Sequence, residues 1–397
     1  MKTRRDTATK PQRILLICPQ PFLVNSGTPL SILIILQALT ELGYAVDMVT
    51  THIGEDREVD DVEIHRIPRI PFLRRMSSGP SIAKFLIMPS MFATSFSLLI
   101  RRDYDFIVSL EDGALYGRLF RRLFGKKHIA KIESLPTGRN LPGTLSHRMM
   151  GLYENVVFSG ADVLLPLLAI EDEYVRSKTK DDQKTVVIEA MPAFREETVS
   201  IERVDQLRRQ FLFEEGDIVI LWIGNLAAYQ GASLLRDTVV AMNGDREANA
   251  TNNRCKFLVL GKDEETHRLF EGVSYDNLTL FEPAIQDMPN FVALGDVCLS
   301  FRNHDIGFPS KVLVFLRAGK PIVAVKTRSH GCHLTDGENS YLIDYDQGEA
   351  ADAIRALASD EAERQRVGEN ARQYFERVFS WEKYRQGWKT AIGYVES

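Results

Sequence analysis

The fold of this chain is decided by one stretch, Gly307-Phe-Pro-Ser-Lys-Val-Leu-Val-Phe-Leu-Arg-Ala-Gly-Lys-Pro-Ile-Val-Ala324. Pro309 ends a loop, and Ser310 can cap a helix that begins beside it. Gly319 ends this helix, and Pro321 leads into an apolar run that is typical of a buried parallel strand. The stretch therefore predicts one helix–strand unit of an α/β sheet, with the helix N-terminus facing a ligand cleft.

The rest of the chain shows two successive series of apolar strands that alternate with helices. The first series has predicted strands at residues 14–18, 46–50, 62–67, 106–110, 128–132, 162–167 and 186–188. The second has predicted strands at residues 218–223, 255–260, 278–281, 297–301, 321–325 and 341–343. These series predict an α/β protein with two Rossmann-like domains that face each other across a cleft, joined by a polar linker near residues 195–201.

Size and composition fit a two-domain globular protein. The chain has 397 residues, more than one core usually holds, and its net charge of −5 does not indicate nucleic-acid binding. The basic N-terminal segment lacks the apolar core of a signal peptide, and the four cysteines form no CxxC pair. We therefore expect a cytoplasmic protein with buried free thiols, without a metal site or a disulfide framework.

Each series has a glycine-containing loop after its first strand. A glycine at this place lets the backbone approach a ligand closely, and the helix start that follows attracts anions. An ordinary turn between a strand and a helix has the same pattern, so the loops are candidates rather than a signature. The donor-binding candidates in these loops are Gly27, Thr28, Gly224, Asn225 and Gln230.

Two acidic residues, Glu111 and Glu133, directly follow predicted strands of the first domain. They are the candidate catalytic residues, because a carboxylate there could bind an acceptor hydroxyl or stabilise a sugar cation. A helix N-cap is the alternative role for either one. In the second domain, His330 and His333 flank Cys332 at a spacing that could suit a metal, but a loop whose histidines touch a donor sugar or phosphate is favoured.

A basic segment runs from Ile64 to Arg102. It has seven lysines and arginines, no acidic residue, and interleaved proline, phenylalanine and leucine. Such a segment could dock on anionic lipid at the inner face of a membrane, or it could be a solvated loop in front of a core helix.

The deciding stretch resembles the donor-site segment of family 4 glycosyltransferases, which have the GT-B fold. The order Pro309, Lys311, Gly319, Lys320 and Pro321 carries this resemblance. It extends over most of the chain, through matching motifs at residues 26–29, 39–46, 159–163, 223–226, 230–231, 260–261, 295–297, 336–342 and 379–381.

The resemblance implies transfer of a hexose from a nucleotide-sugar to a saccharide or lipid-linked acceptor, in polysaccharide or cell-envelope biosynthesis. Such transfer usually retains the anomeric configuration and uses no bound metal. The resemblance also implies an acceptor domain at residues 1–197, a donor domain at residues 198–380 and a terminal helix at residues 381–397 that crosses back to the first domain.

This chain departs from the family at four donor positions. The family usually has an arginine and a lysine where this chain has Asn225 and Gln230, and two glutamates where it has Ile306 and Val314. The second glutamate normally binds the ribose hydroxyls. Either other cations replace the missing ones, or the chain is a catalytically degenerate relative that acts as a partner or glycan-binding subunit. The remaining donor-binding candidates are Lys262, Arg302, His304, Ser310 and Lys311.

Overall fold

The structure is a computed structural model of the chain. It describes residues 12–22, 27–54, 58–71, 73, 82–139, 143–180, 183–192, 199–224, 226, 228–244, 250–261, 263–305 and 307–397. The chain divides into two compact units. The first unit ends at Glu189 and is completed by Trp381–Ser397, and the second spans Ala190–Ser380.

The first unit is built on a parallel sheet. Its strands are β1 (Arg13–Cys18), β2 (Ala45–Thr50), β3 (Val62–Arg66), β4 (Phe106–Leu110), β5 (Lys127–Ile132), β6 (Val163–Pro166) and β7 (Lys184–Thr185). Its helices are α1 (Gly27–Glu41), α2 (Ile82–Arg101), α3 (Ala114–Phe124), α4 (Leu145–Phe158) and α5 (Ala169–Lys178). The strand order is β3-β2-β1-β4-β5-β6-β7, so the chain reverses direction across the sheet beside β1, as in a doubly wound fold.

The helices α2, α3 and α4 cover one face of this sheet. Leu15 of β1 pairs with Ile107 of β4, and Ser109 of β4 pairs with Ala130 of β5. Residues in register on parallel strands point to the same side, so these side chains share a face. Buried residues of α2 and α3 pack with Leu15 and Ile107, and buried residues of α4 pack with Ala130.

The second unit has its own parallel sheet. Its strands are β8 (Ile218–Ile223), β9 (Cys255–Leu260), β10 (Leu278–Phe281), β11 (Val297–Ser300), β12 (Ile322–Val325) and β13 (Tyr341–Ile343), in the order β10-β9-β8-β11-β12-β13. Its helices are α6 (Ile201–Gln210), α7 (Ala232–Gly244), α8 (Ala250–Arg254), α9 (Asp263–Leu269), α10 (Met288–Leu294), α11 (Ser310–Arg317), α12 (Gln347–Ser359) and α13 (Glu361–Val378). Strands β8, β9, β11 and β12 are almost entirely buried, which explains why they are nearly continuous apolar runs, whereas the edge strands β10 and β13 are partly exposed.

The last helix, α14 (Trp381–Glu396), packs on the first unit. Its Trp388 and Ile392 are buried. The Tyr44 hydroxyl donates a hydrogen bond to Glu396 Oε1 at 2.8 Å, and Trp381 Nε1 donates one to Glu41 Oε2 at 2.6 Å. The first unit is therefore discontinuous in sequence.

The α/β class and the two Rossmann-like units are confirmed, with local differences from the predicted elements. The seventh strand lies at Lys184–Thr185 instead of residues 186–188, although the N–H groups of Val186 and Ile188 still bond to carbonyls of β6. Helices α5, α6, α8 and α9 were not predicted. They are short or strongly polar, so their apolar periodicity is weak. Within the described residues, no helix is long and apolar enough to cross a bilayer.

Asp47, a residue of β2, anchors a network of ion pairs and hydrogen bonds. Its buried carboxylate accepts hydrogen bonds from Arg13 Nη1 at 2.8 Å, Arg102 Nη1 at 2.9 Å and the Tyr104 hydroxyl at 2.5 Å. Asp47, Glu63 and His65 are the one group in the described part of the chain with metal-ligand geometry. The two guanidinium groups already neutralise this group, so its chemistry suits an ion-pair network better than a cation site.

Replacing Asp47 with asparagine is expected to lower the free energy of unfolding by about 3 kcal/mol at neutral pH. The partly buried guanidinium group of Arg13 loses its counter-ion, and that of Arg102 keeps only Glu63. Burial raises the pKa of Asp47, but hydrogen bonds from His65, Tyr104 and Arg102 lower it more, and the net pKa lies well below its usual range. The stabilisation is therefore present above about pH 4 and is lost as the pH falls below that value.

Urea unfolding of the wild-type and Asp47→Asn proteins at neutral and acidic pH measures this effect. The matched control is Asp103→Asn, because Asp103 is 92% exposed in its ion pair with Lys126. We expect the control to change stability by less than about 0.5 kcal/mol. Equal effects of the two substitutions would contradict the assignment of Asp47 as the anchor.

Candidate functional site

The second unit brings candidate site residues together at the carboxyl edge of its sheet. Gly224 directly follows β8, Arg302 lies two residues after β11, and Lys311 lies in the first turn of α11. Strands β8 and β11 are neighbours in the sheet. This is the edge at which parallel α/β sheets bind their ligands.

The ammonium group of Lys311 is buried against Trp222. Its Nζ lies 4.0 Å from the centroid of the Trp222 ring. A Cβ added to Gly224, whose φ is 138°, would lie 3.7 Å from Nζ, so the ammonium group also faces the backbone that follows β8. The residue as a whole is partly exposed, but Nζ is buried and has no hydrogen-bond partner among the described residues. A buried cation without an acceptor is unfavourable, so the site is suited to an anion.

A second cation, Arg302, is near enough for its charge to act on Lys311. Its guanidinium carbon is 5.6 Å from the centroid of the Tyr229 ring. Burial, with a further contribution from the positive charge of Arg302, lowers the pKa of Lys311 to about 7. An anion at this site would favour the charged form of Lys311 and raise its pKa again. The site can therefore bind a proton together with an anionic ligand.

The loop after β8 is held close to the end of β11. Gly231 has a φ of 80°, and a Cβ added there would lie 2.0 Å from the carbonyl oxygen of Phe301. Only glycine allows this approach, since any other residue would require the loop to move. Gln230 Oε1, beside this contact, is buried and has no hydrogen-bond partner within the described residues.

The other donor-binding candidates have mixed placements. His304 is exposed, and Val314 is partly buried on α11. Ser310 is the first residue of α11 and not its cap, because the N-cap is Pro309 and none of the described side chains caps the helix. Gly27 and Thr28 begin α1. Asn225, Lys262 and Ile306 lie outside the described residues.

His330 and His333 have packing roles inside the second unit. His330 is fully buried, with Nδ1 donating to the Val325 carbonyl at 2.8 Å and Nε2 lying 2.9 Å from Ser300 Oγ. The His333 ring packs edge-on against Phe308 and Phe379. Burial lowers the pKa of each histidine to about 4. Both rings are engaged within the unit, although the charges of Arg302 and Lys311 act on His330. Contact of either histidine with a donor stays a prediction.

The first unit places Glu111 at the end of β4. Its φ is 50°, a left-handed conformation that is strained for a residue with a side chain and that often occurs at functional sites. Ser134 Oγ donates a hydrogen bond to Glu111 Oε1 at 3.2 Å. Glu111, Ser134 and Tyr153 line a cavity of about 20 Å³, which has room for one water molecule or one hydroxyl group.

Glu133, at the end of β5, belongs to a buried charged cluster. Its Oε1 lies 3.7 Å from Nζ of Lys131, which also donates a hydrogen bond to the Ile188 carbonyl at 2.9 Å. Burial raises the pKa of Glu171 to about 7, with Lys131 opposing and Glu133 reinforcing the shift. Burial also raises the pKa of Glu189, against the charge of Lys131. This cluster holds the Glu133 carboxylate in place.

Sequence reasoning missed Trp222 as a site residue. The indole lies under the ammonium group of Lys311, although the two residues are far apart in the chain. The feature of the sequence that could have indicated it is an aromatic residue two positions before Gly224, at the end of a predicted strand. A tryptophan in that place is more often part of the core, and Trp222 is indeed also a core residue.

Comparison with known proteins gives a family match over the range that holds this site. Residues 217–360 match the family model described as glycosyl transferases group 1, and they include Gly224, Arg302 and Lys311. Over this range the second unit is similar to that family. An uncharacterized glycosyltransferase of Methanocaldococcus jannaschii is 22% identical over 373 residues, which cover 85% of this chain and 91% of that protein.

Solved structures show the same fold along the whole chain. Sucrose-phosphate synthase from Thermosynechococcus elongatus has a TM-score of 0.78 at 17% identity, covering 96% of this chain and 98% of that chain. Anabaena HepE in complex with UDP-glucose has a TM-score of 0.71 at 14% identity, covering 96% of this chain and 99% of that chain. The predictions of a GT-B fold and of the enzyme class, a glycosyltransferase, are confirmed.

Proposed function

We propose that the protein transfers a hexose from a nucleotide-sugar to a saccharide or lipid-linked acceptor in polysaccharide or cell-envelope biosynthesis, with retention of configuration. The observation that carries this proposal is the buried ammonium group of Lys311 at the carboxyl edge of the second sheet. A leaving nucleoside diphosphate needs positive charge around it, and a desolvated cation provides more stabilisation than an exposed one.

In this proposal Lys311 and Arg302 replace the cations that the family has at the positions of Asn225 and Gln230. The first-turn N–H groups of α11 add the positive end of a helix dipole. Phosphate oxygens would accept hydrogen bonds from Lys311 Nζ, which has no acceptor among the described residues. The resemblance implies that such transfer usually uses no bound metal, and in this proposal Lys311 and Arg302 supply the positive charge instead.

The nucleotide is proposed to be a uridine diphosphate. Anabaena HepE, which has the same fold, was solved in complex with UDP-glucose. Calorimetric titration with UDP-glucose, GDP-mannose and ADP-glucose tests the choice, and we expect the first to bind. If no nucleotide or nucleotide-sugar binds even at millimolar concentration, the chain is a degenerate relative that acts as a partner or glycan-binding subunit.

The acceptor is proposed to meet Glu111 in the first unit, where the carboxylate and Ser134 could bind an acceptor hydroxyl. Replacing Glu111 with glutamine is expected to lower kcat by about 100-fold or more without changing the affinity for the nucleotide, because the proton acceptor is lost while the shape is kept. Steady-state transfer assays and calorimetry measure the two quantities separately.

The matched control for Glu111→Gln is Glu173→Gln, an exposed glutamate on α5. The control should leave kcat unchanged. An equal loss of kcat in both variants, or a loss of nucleotide affinity in Glu111→Gln alone, would contradict a role for Glu111 at the acceptor. Glu133→Gln tests the neighbouring carboxylate in the same way.

Contact with an anionic membrane is a further part of the proposal, because a lipid-linked acceptor lies at a membrane. In the segment from Ile64 to Arg102, some of the arginines are hydrogen-bonded to groups within the first unit. Arg66 donates to the carbonyls of Thr51 and Ile53, and Arg102 binds Asp47 and Glu63. The segment therefore presents less charge than its composition indicates.

A further inference from the structure

An apolar stripe runs along the outer side of α4. It consists of Leu145, Met149, Leu152 and Val156, which are 74%, 55%, 66% and 43% exposed. The spacing of four, three and four residues places these side chains on one side of the helix. The opposite side of α4 packs on the sheet through Val157 and Phe158.

The stripe continues onto the neighbouring helices of the same layer. Leu119 and Leu123, one turn apart on α3, are 41% and 57% exposed. Phe85 and Ile100 on α2 are exposed too. Since α2, α3 and α4 cover the same face of the first sheet, their outer sides form one surface. We call it the α2–α4 face.

The three helices of the α2–α4 face carry basic residues and no exposed acidic residue, and exposed Asp103, just after α2, is paired with Lys126. In the three helices the one acidic residue is Glu154, which is buried and accepts hydrogen bonds from Thr137. Among the described side chains of these helices, the exposed cations are Arg101, Arg122 and Arg148. The chain as a whole has more acidic than basic residues, 54 against 49, so this local composition departs from the rest.

We propose that the α2–α4 face docks on the surface of an anionic lipid bilayer. The apolar side chains would enter the boundary between headgroups and acyl chains, and the arginines would extend to the lipid phosphates. This proposal deepens the membrane contact proposed above by locating it on α3 and α4 as well as α2. It does not depend on the identity of the sugar donor.

A second copy of the chain fits this face less well. A symmetric dimer formed through it would bring Arg122 and Arg148 of both copies into one interface, without exposed carboxylates on the three helices to pair with them. Like charges that face each other oppose association. A bilayer with anionic headgroups supplies both the apolar layer and the opposite charge.

The test is flotation of the full chain with vesicles of phosphatidylcholine alone or mixed with phosphatidylglycerol. We expect binding only to the mixed vesicles. The Arg122→Glu/Arg148→Glu variant should bind them at least about 30-fold more weakly, and Leu145→Ser/Leu152→Ser at least about tenfold more weakly. These side chains are exposed, so neither variant should lose stability.

The matched controls lie on the second unit. Arg209→Glu/Arg268→Glu changes two exposed arginines, and Ile201→Ser/Leu212→Ser changes two side chains that are 79% and 83% exposed. Both controls should bind the mixed vesicles as the wild-type protein does. Nucleotide affinity, measured on every variant, should be unchanged, which separates this proposal from the proposed transferase function.

Three outcomes would overturn the proposal. The first is absence of wild-type binding to the mixed vesicles. The second is equal binding by the α2–α4 variants and their controls. The third is a concentration-dependent dimer in light scattering that Leu145→Ser/Leu152→Ser abolishes, which would make the face a site of self-association.

Discussion

Lys311→Ala is expected to weaken the binding of UDP-sugars by about 100-fold. The lost ammonium group is desolvated and, in this proposal, donates to the diphosphate, and a charge-assisted hydrogen bond contributes about 1.5–3 kcal/mol. The matched control is Lys326→Ala, a half-exposed lysine of the same unit that forms an ion pair with Asp344. Calorimetry should show the loss in Lys311→Ala and wild-type affinity in Lys326→Ala.

The same residue should make the affinity depend on pH. The pKa of Lys311 is about 7 in the free protein. A bound diphosphate favours the ammonium form and raises this pKa, so binding takes up a proton above neutral pH. The affinity should be nearly constant just below pH 7 and should fall by up to about tenfold per pH unit above it.

Lys311→Arg separates this effect from titration of the nucleotide. Arginine stays charged at every pH of the experiment, so the nucleotide affinity of this variant should not fall above neutral pH. Wild-type affinity that does not change between neutral and alkaline pH would contradict proton-coupled binding. Equal affinities of Lys311→Ala and Lys326→Ala would contradict the anion site itself.

Gly231→Ala is expected to lower the free energy of unfolding of the second unit by about 3 kcal/mol or more and to abolish nucleotide binding. Alanine disfavours the φ of 80°, and its Cβ would lie 2.0 Å from the Phe301 carbonyl oxygen. The loop after β8 would have to move away from the end of β11. Arg302 lies two residues after that strand, so the proposed anion site would be disturbed.

Gly216→Ala is the matched control for this substitution. Gly216 has a similar φ of 87°, but a Cβ there would meet none of the described atoms within 4 Å. It should lose only about 1 kcal/mol, the conformational part of the effect. Thermal unfolding and calorimetry on both variants measure the difference. Equal losses would show that contact with Phe301 does not constrain the loop.

The fold could be predicted because each buried parallel strand is a continuous apolar run between helices. Strands β8 and β11, for example, are apolar throughout or nearly so and are fully buried at almost every position. Helix α6 was not predicted because seven of its ten residues, in the sequence Ile-Glu-Arg-Val-Asp-Gln-Leu-Arg-Arg-Gln, are polar or charged. Its contacts, not its periodicity, stabilise it.

The site could be predicted only in part. The sequence indicates Lys311 as a cation beside a helix start, but its burial depends on Trp222, which reaches it through the folded sheet. Likewise, counting arginines from Ile64 to Arg102 does not show that Arg66 and Arg102 are bonded within the unit. Whether a charged side chain is buried or paired depends on the tertiary structure, so it cannot be read from the charge and spacing of residues in the sequence.

The return of α14 to the first unit has a consequence for biosynthesis. Because Trp388 and Ile392 are part of the buried interior of the first unit, that unit remains incomplete on the ribosome until Trp381–Ser397 has emerged. The second unit, Ala190–Ser380, is synthesised in full before then. The usual order of co-translational folding, in which the N-terminal domain matures first, is therefore reversed for the final step.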